Sequence, residues 1–232
     1  RDGFSERDYD VVLHLGDYIY EYALGGYANP LMQGKGRDVQ PVHEIVSIVD
    51  YRMRYGLYRT DADLQAVHQA HPFICVWDDH EIANNSYMDG AENHQDSTEG
   101  EWSSRKNAGI QAYYEWLPIR PPMGEQSPQI YRTFDFGNLI SLHMLDTRVI
   151  ARDKQLAYSD YKNLETKQMD VARFASDLNN PKRQLLGNTQ LNWLTSAITK
   201  SNAKWQILGQ QVLMTKMWLP TEIFSQSDRT KI

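Results

Sequence analysis

His71-Pro72-Phe73-Ile74-Cys75-Val76-Trp77-Asp78-Asp79-His80-Glu81 decides how this chain is read. Its first half is apolar and β-prone, which predicts a buried strand. Its second half sets two carboxylates and an imidazole at the strand's end, where a loop or helix begins. Groups carried on rigid elements can be held in register for metal binding or proton transfer. Upstream, Asp10 to Gly16 predicts another short buried strand, and Gly16-Asp17-Tyr18-Ile19-Tyr20 gives it an acidic end as well. Two acidic strand ends in one domain predict a site assembled from separate segments.

The chain has 232 residues, 41% of them hydrophobic, enough for one large α/β domain with a sizeable core. A formal charge of -6 argues against nucleic-acid binding through a basic surface. A phosphate ester remains compatible, because a bound cation reverses the local sign. No apolar run reaches membrane-spanning length. The single cysteine, Cys75, excludes an internal disulfide and, between Ile74 and Val76, reads as a core residue. The chain opens on Arg1 almost directly before a strand and stops soon after another, so a fragment lacking both natural ends is expected.

Apolar residues at helical spacing (Ile45, Ile48, Val49, Met53, Leu57) predict a helix within Val42 to Tyr58. Thr60 or Asp61 caps the next, which runs to about Ala70. Asn84 to Glu101 is a polar loop beside the acidic motif. Trp102 to Trp116 is helical, with Ala108, Tyr113 and Trp116 inward, and Pro118, Pro121 and Pro122 end it. Ile130 to Phe136, the turn Gly137-Asn138 and Leu139 to Leu145 form a hairpin, which breaks a purely alternating βαβ pattern. A helix around Lys167 to Leu178, another over Asn188 to Ser201 capped by Asn188, and a strand from Ala203 to Val212 complete the order.

Asp17, beyond Gly16, stands at a sheet edge of the kind where α/β proteins bind ligands. It can ligate a hard metal, and Tyr20 as a phenolate suits trivalent iron, whose charge lowers the phenol's pKa. The plainer alternative is a turn cap and an aromatic cluster with Tyr18 and Tyr22. Asp78 and Asp79 repel unless a cation lies between or beside them. His80 is then placed to protonate a leaving oxygen or to orient a phosphoryl oxygen. Asn84 and Asn85 offer amide oxygens to a site, although loop asparagines commonly form turns. Arg148 can clamp a phosphate bidentately, with Asp146 orienting it; a structural ion pair between the two is the competing account. Gln210 and Gln211 reach the same edge or satisfy backbone there. His14 reads as an interior histidine.

These blocks together resemble the PhoD-like alkaline phosphatases and phosphodiesterases of the calcineurin-like metallophosphoesterase superfamily. The likeness runs through Leu15 to Tyr22 (LGDYIYEY), Tyr51 to Tyr58, Trp77 to Asn85, Ala112 to Glu115, Leu145 to Arg148, Arg183 to Gly187 and Trp205 to Val212. It implies an α/β four-layer sandwich, two mixed sheets flanked by helices, with residues 1–232 forming part of the catalytic domain. It implies that Asp17 bridges metals, that Tyr20 ligates a ferric ion and that Asp79 is a further ligand, with Asp78 the alternative. His80 then lies beside the phosphate; the residues themselves add Arg148 and Asn84 as the expected substrate contacts. Iron (Fe3+) with calcium (Ca2+), a phosphate mono- or diester substrate, and a periplasmic or secreted location follow from the same resemblance. The family's upstream segment with a cysteine ligand and its downstream Gly-Asp-x-His segment have no counterpart here, and Cys75 does not match that cysteine. This stretch alone is therefore expected to be weak or inactive. A scaffold that holds metal or phosphate without turnover is the alternative, and a glycosidase using Asp78 and Glu81 is a distant one.

Overall fold

The computed structural model describes residues 8–27, 34, 36, 38–120, 129–163, 165, 166 and 168–214. Pro121, Pro122, Lys167 and part of the loop between residues 25 and 41 lie outside them. The elements are β1 (Val12–His14), α1 (Ile48–Tyr58), α2 (Ala62–Ala70), β2 (Phe73–Cys75), α3 (Asp96–Glu99), α4 (Trp102–Trp116), β3 (Arg132–Phe136), β4 (Ile140–Met144), a 3-10 turn at Tyr158–Tyr161, α5 (Val171–Leu178), α6 (Gly187–Lys200) and β5 (Trp205–Gly209). β1 runs parallel to β2, with Val12 opposite Phe73 and His14 opposite Cys75. β3, β4 and β5 form a second, mixed sheet: an antiparallel hairpin, then a parallel pair reached through α5 and α6. The chain is thus α/β with two sheets. Among the described residues only the second sheet is mixed, because β1 and β2 pair in parallel.

Local signals explain most boundaries. Ser47 and Asp50 form a capping box, which starts α1 at Ile48 rather than near Val42. Asp61 caps α2 by accepting the Leu64 N–H at 2.9 Å. The anticipated inward stripe of α1 is corrected: Val49 and Met53 are exposed, whereas Tyr51, Arg54 and Tyr55 are buried. Aromatic packing decides this face, with Tyr55 stacked on Trp116 of α4 at 6.2 Å. Arg54 can be buried because its guanidinium donates to the carbonyls of Tyr20, Tyr22, Gln40 and Pro41. α6 opens at Gly187 after Leu186, without the side-chain cap expected from Asn188. β1 is less enclosed than its apolar run suggests, since Leu13 and Leu15 are exposed.

The core gathers Ile74, Cys75, Val76, Trp77, Ile82, Tyr51, Tyr55 and Tyr113 directly behind the end of β2. Burial pushes the Cys75 thiol up to about 12, so it is an inert core group. Trp77 packs edge-on against Tyr113 and Tyr114, and its Nε1–H donates to Asp146 Oδ2 at 3.1 Å. That bond ties the end of β2 to the end of β4. Among the described residues no helix is long and apolar enough to cross a membrane.

Candidate metal centre

Parallel pairing puts the C-terminal ends of β1 and β2 side by side. Gly16, with φ of 111°, is where the two chains touch: a Cβ there would lie 2.3 Å from the Asp78 backbone nitrogen. No other residue fits that approach. Asp17 follows with φ of 59°, a left-handed conformation that aspartate tolerates better than most residues. The turn brings Asp17 to the β2 end. Ligand atoms of Asp17, Asp79 and His80 all lie within 4.8 Å of one another.

Each member of this cluster has a distinct set of partners. Tyr20 O–H donates to Asp17 Oδ2 at 3.2 Å, while Asp17 Oδ1 is buried with no hydrogen-bond partner. Burial raises the Asp17 pKa, the Asp79 charge adds to this, and His80 counters it. Burial and then Asp17 push the Tyr20 phenol well up, so it stays protonated unless a cation displaces the proton. Asp79 accepts the Asn85 N–H at 2.6 Å, with an Arg148 nitrogen 3.4 Å from its other oxygen. A carboxylate oxygen buried without a donor is costly, and a cation offsets that cost. Two carboxylates and a phenol oxygen make a donor set suited to a hard cation, with the imidazole beside them.

His80 is oriented by a residue that sequence reasoning passed over. Glu21 is fully buried, and its Oε2 lies 2.7 Å from His80 Nδ1. Its Oε1 accepts from the Asn84 N–H at 2.7 Å and from Asn93 Nδ2 at 2.8 Å. Burial works to raise the Glu21 pKa, but the bonds from His80, Asn93 and Asn84 outweigh it and hold the carboxyl below its ordinary range. An ionised Glu21 keeps the proton on Nδ1 and leaves Nε2 for the cluster. The Tyr20 ring packs against His80 at 4.4 Å.

The two adjacent aspartates separate by role. Asp79 joins the cluster, whereas Asp78 takes the Arg148 guanidinium through both oxygens. Burial raises the Asp78 carboxyl to about 6 despite that pairing. The Asp146–Arg148 ion pair, one of the two accounts open from the sequence, gives way to a different arrangement. Asp146 accepts the backbone N–H groups of Arg148 and Val149 at 2.8 and 3.0 Å, and the guanidinium turns to Asp78. The Asn84 side chain faces Glu92, 3.5 Å away, and Asn85 does likewise. Gln211 binds the Thr147 hydroxyl and the Leu145 carbonyl, and Gln210 accepts the Val212 N–H. His14 Nδ1 accepts the Gly16 N–H at 3.3 Å.

Glu81 is fully buried, and its oxygens accept the N–H groups of Tyr18 and Asp78. Burial pushes its carboxyl up to about 8. Enclosed and facing backbone, it has no place in a glycosidase pair with Asp78. Glu21, Arg54 and Asn93 lie outside the residues singled out from the sequence, and Glu81 enters there only as half of a glycosidase pair. The available signal was context: Glu21 stands between Tyr20 and Tyr22, and Glu81 precedes Ile82 and Ala83.

A carboxylate, imidazole and phenol cluster at parallel strand ends is a metal-site layout on an α/β fold. The chain belongs to the PhoD-like phosphatase family, whose model matches residues 2–230. It is 39% identical over 214 residues to alkaline phosphatase D of Bacillus subtilis (strain 168), covering 91% of this chain and 34% of that protein. A solved structure described as "Structure of PhoD" matches with a TM-score of 0.74 and 37% identity, over 91% of this chain and 38% of the other. The chain therefore spans about a third of the length of the curated relative it matches.

Proposed function

We propose that this chain is part of the catalytic domain of a metal-dependent hydrolase of phosphate mono- or diesters. The observation that carries the proposal is the convergence of Asp17, Asp79 and His80, with Asp17 Oδ1 buried and lacking a donor. Asp17, Asp79 and Tyr20 would hold the cations, with Fe3+ and Ca2+ the proposed pair, since phenolate and carboxylate oxygens suit them. When bound, such ions supply Lewis-acid charge and an activated water for in-line attack on phosphorus. The chain's own residues do the rest. His80, fixed through Nδ1 by Glu21, handles a proton at Nε2 near the leaving oxygen. Arg148, aimed by Asp78, supplies positive charge at the edge of the cluster, where a phosphoryl oxygen would sit. Asn84 is proposed as a substrate contact once its amide leaves Glu92.

Family membership supports a phosphate-ester substrate, and a periplasmic or secreted location is proposed on the same footing. The test is a phosphatase assay on the metal-reconstituted full gene product. Turnover abolished by Asp17→Ala and by Asp79→Ala is expected. Tight metal binding without turnover in the unsubstituted protein would replace the enzyme reading with that of a metal-holding scaffold.

A further inference from the structure

Glu81 is fully buried, yet its carboxylate faces main chain. Oε1 accepts the Tyr18 N–H, and Oε2 accepts the Asp78 N–H at 2.7 Å. These amides belong to the two loops that leave β1 and β2. The Tyr18 N–H, just past the left-handed Asp17, and the Asp78 N–H thus share one side chain as their acceptor. The loops are pressed into contact at Gly16, where a Cβ would meet Asp78 at 2.3 Å. Helix α4 backs the arrangement, since a Cβ on Gly109 would lie 2.9 Å from the Glu81 carbonyl oxygen.

We propose that Glu81 is a positioning residue whose carboxyl pins the Asp17 loop to the Asp78-Asp79 loop, fixing the spacing of the cation ligands and the left-handed backbone of Asp17. The inference rests on the hydrolase reading above and adds a residue that touches neither substrate nor cation. Asp17 carries its side chain on a strained turn, and the turn is held by the Glu81 carboxyl through the next N–H. An amide in its place offers one acceptor oxygen where the carboxyl uses two, and turns an NH2 toward the N–H of the other loop. The loops then lose their common partner while the side chain keeps its volume.

The experiment compares Glu81→Gln, Asp17→Asn and a distant core truncation, Leu142→Ala in β4, in the full gene product stripped of metal by chelation. Mn2+ alone is the probe, titrated by calorimetry, with melting temperature, kcat and KM measured alongside. Glu81→Gln is expected to weaken Mn2+ binding about 10–100-fold, the range for residues that orient metal ligands, and to lower kcat more than it raises KM. Leu142→Ala lowers the melting temperature and leaves Mn2+ affinity unchanged. A Glu81→Gln protein that melts earlier but binds Mn2+ and turns over normally overturns the proposal. Where Glu81→Gln does not fold, Gly16→Ala replaces it. The added methyl drives the same two loops apart with Glu81 intact, so the same loss of affinity is expected, and unchanged affinity overturns the pin. Asp17→Asn separates the two failures. Mn2+ lost there but kept in Glu81→Gln overturns the pin alone, whereas Mn2+ kept in both overturns the site reading with it.

Discussion

Replacing Glu21 by glutamine tests how His80 is held. Alanine is too blunt, because it strands three buried donors: the Asn84 N–H, Asn93 Nδ2 and His80 Nδ1. At about 1–3 kcal/mol each, that is about 3–9 kcal/mol, comparable to the whole stability of a domain. Glutamine keeps the shape and changes the logic. Its amide oxygen can retain both asparagine donors only by turning its NH2 to His80 Nδ1. A donor there forces the ring proton onto Nε2. The opposite amide orientation keeps the His80 bond and sets the NH2 against two N–H donors, so it is the costlier choice. The expected loss is about 1–2 kcal/mol of stability, from exchanging charge-assisted bonds for neutral ones. Nitrogen-15 NMR of the metal-free protein, at a pH where the ring is neutral, reads the tautomer directly. The unsubstituted protein should show the proton on Nδ1 and Glu21→Gln should show it on Nε2. Turnover should fall by about 10²–10⁴-fold, since without the Glu21 carboxylate the imidazolium that delivers a proton from Nε2 loses its stabilising partner. An unchanged tautomer together with unchanged turnover would refute this reasoning.

Other expectations follow from the same geometry. Asp17→Asn removes a buried charge whose Oδ1 lacks a donor, so the metal-free protein should melt higher while losing its stabilisation by added metal; a lower melting temperature without metal would contradict this. Arg148→Met leaves Asp78 and Asp79 without their guanidinium and should cost about 3–5 kcal/mol in the metal-free protein, largely restored by Ca2+ in thermal melts. Equal losses with and without Ca2+ would show that the two cations do not share this neutralisation. The Glu21–His80 pair should give a pH signature. Net effects hold Glu21 below its ordinary 4.5, so its stabilisation is present above that pH and lost on acidification. They hold His80 above its ordinary 6.5, so its stabilisation is full below 6.5 and is lost as pH rises through the folded value. The stability difference between the unsubstituted protein and Glu21→Gln should therefore be widest between 4.5 and 6.5, and a flat difference in denaturation curves across pH 4–9 would exclude the pair as its source.

Much of this could be read from the chain because the relevant patterns are local. The apolar run before Trp77, the Gly137-Asn138 turn and the spacing across Trp102 to Trp116 each report on their own segment. Asp17, Asp79 and His80 stood out because they adjoin such runs. What stayed hidden depends on distant partners. Asp78 and Asp79 are neighbours in sequence, and partners from distant segments tell them apart: Asp78 takes the Arg148 guanidinium through both oxygens, while Asp79 joins Asp17 and His80. Glu21 and Glu81 look like surface acids until loops from elsewhere surround them with N–H groups. Val49 and Met53 fit an inward stripe, yet α1 turns its tyrosines and Arg54 inward instead.

Arg54 has a mechanical implication. One planar cation anchors the carbonyls on either side of Glu21 as well as those of Gln40 and Pro41. The segment bearing Tyr20 is thereby moored to α1, and helix and loop should shift as one body. Lysine, with three donors on a single nitrogen, cannot span four separated oxygens. Any graft of the Tyr20 loop into another scaffold must bring its helix along, or the phenol will arrive without a fixed bearing.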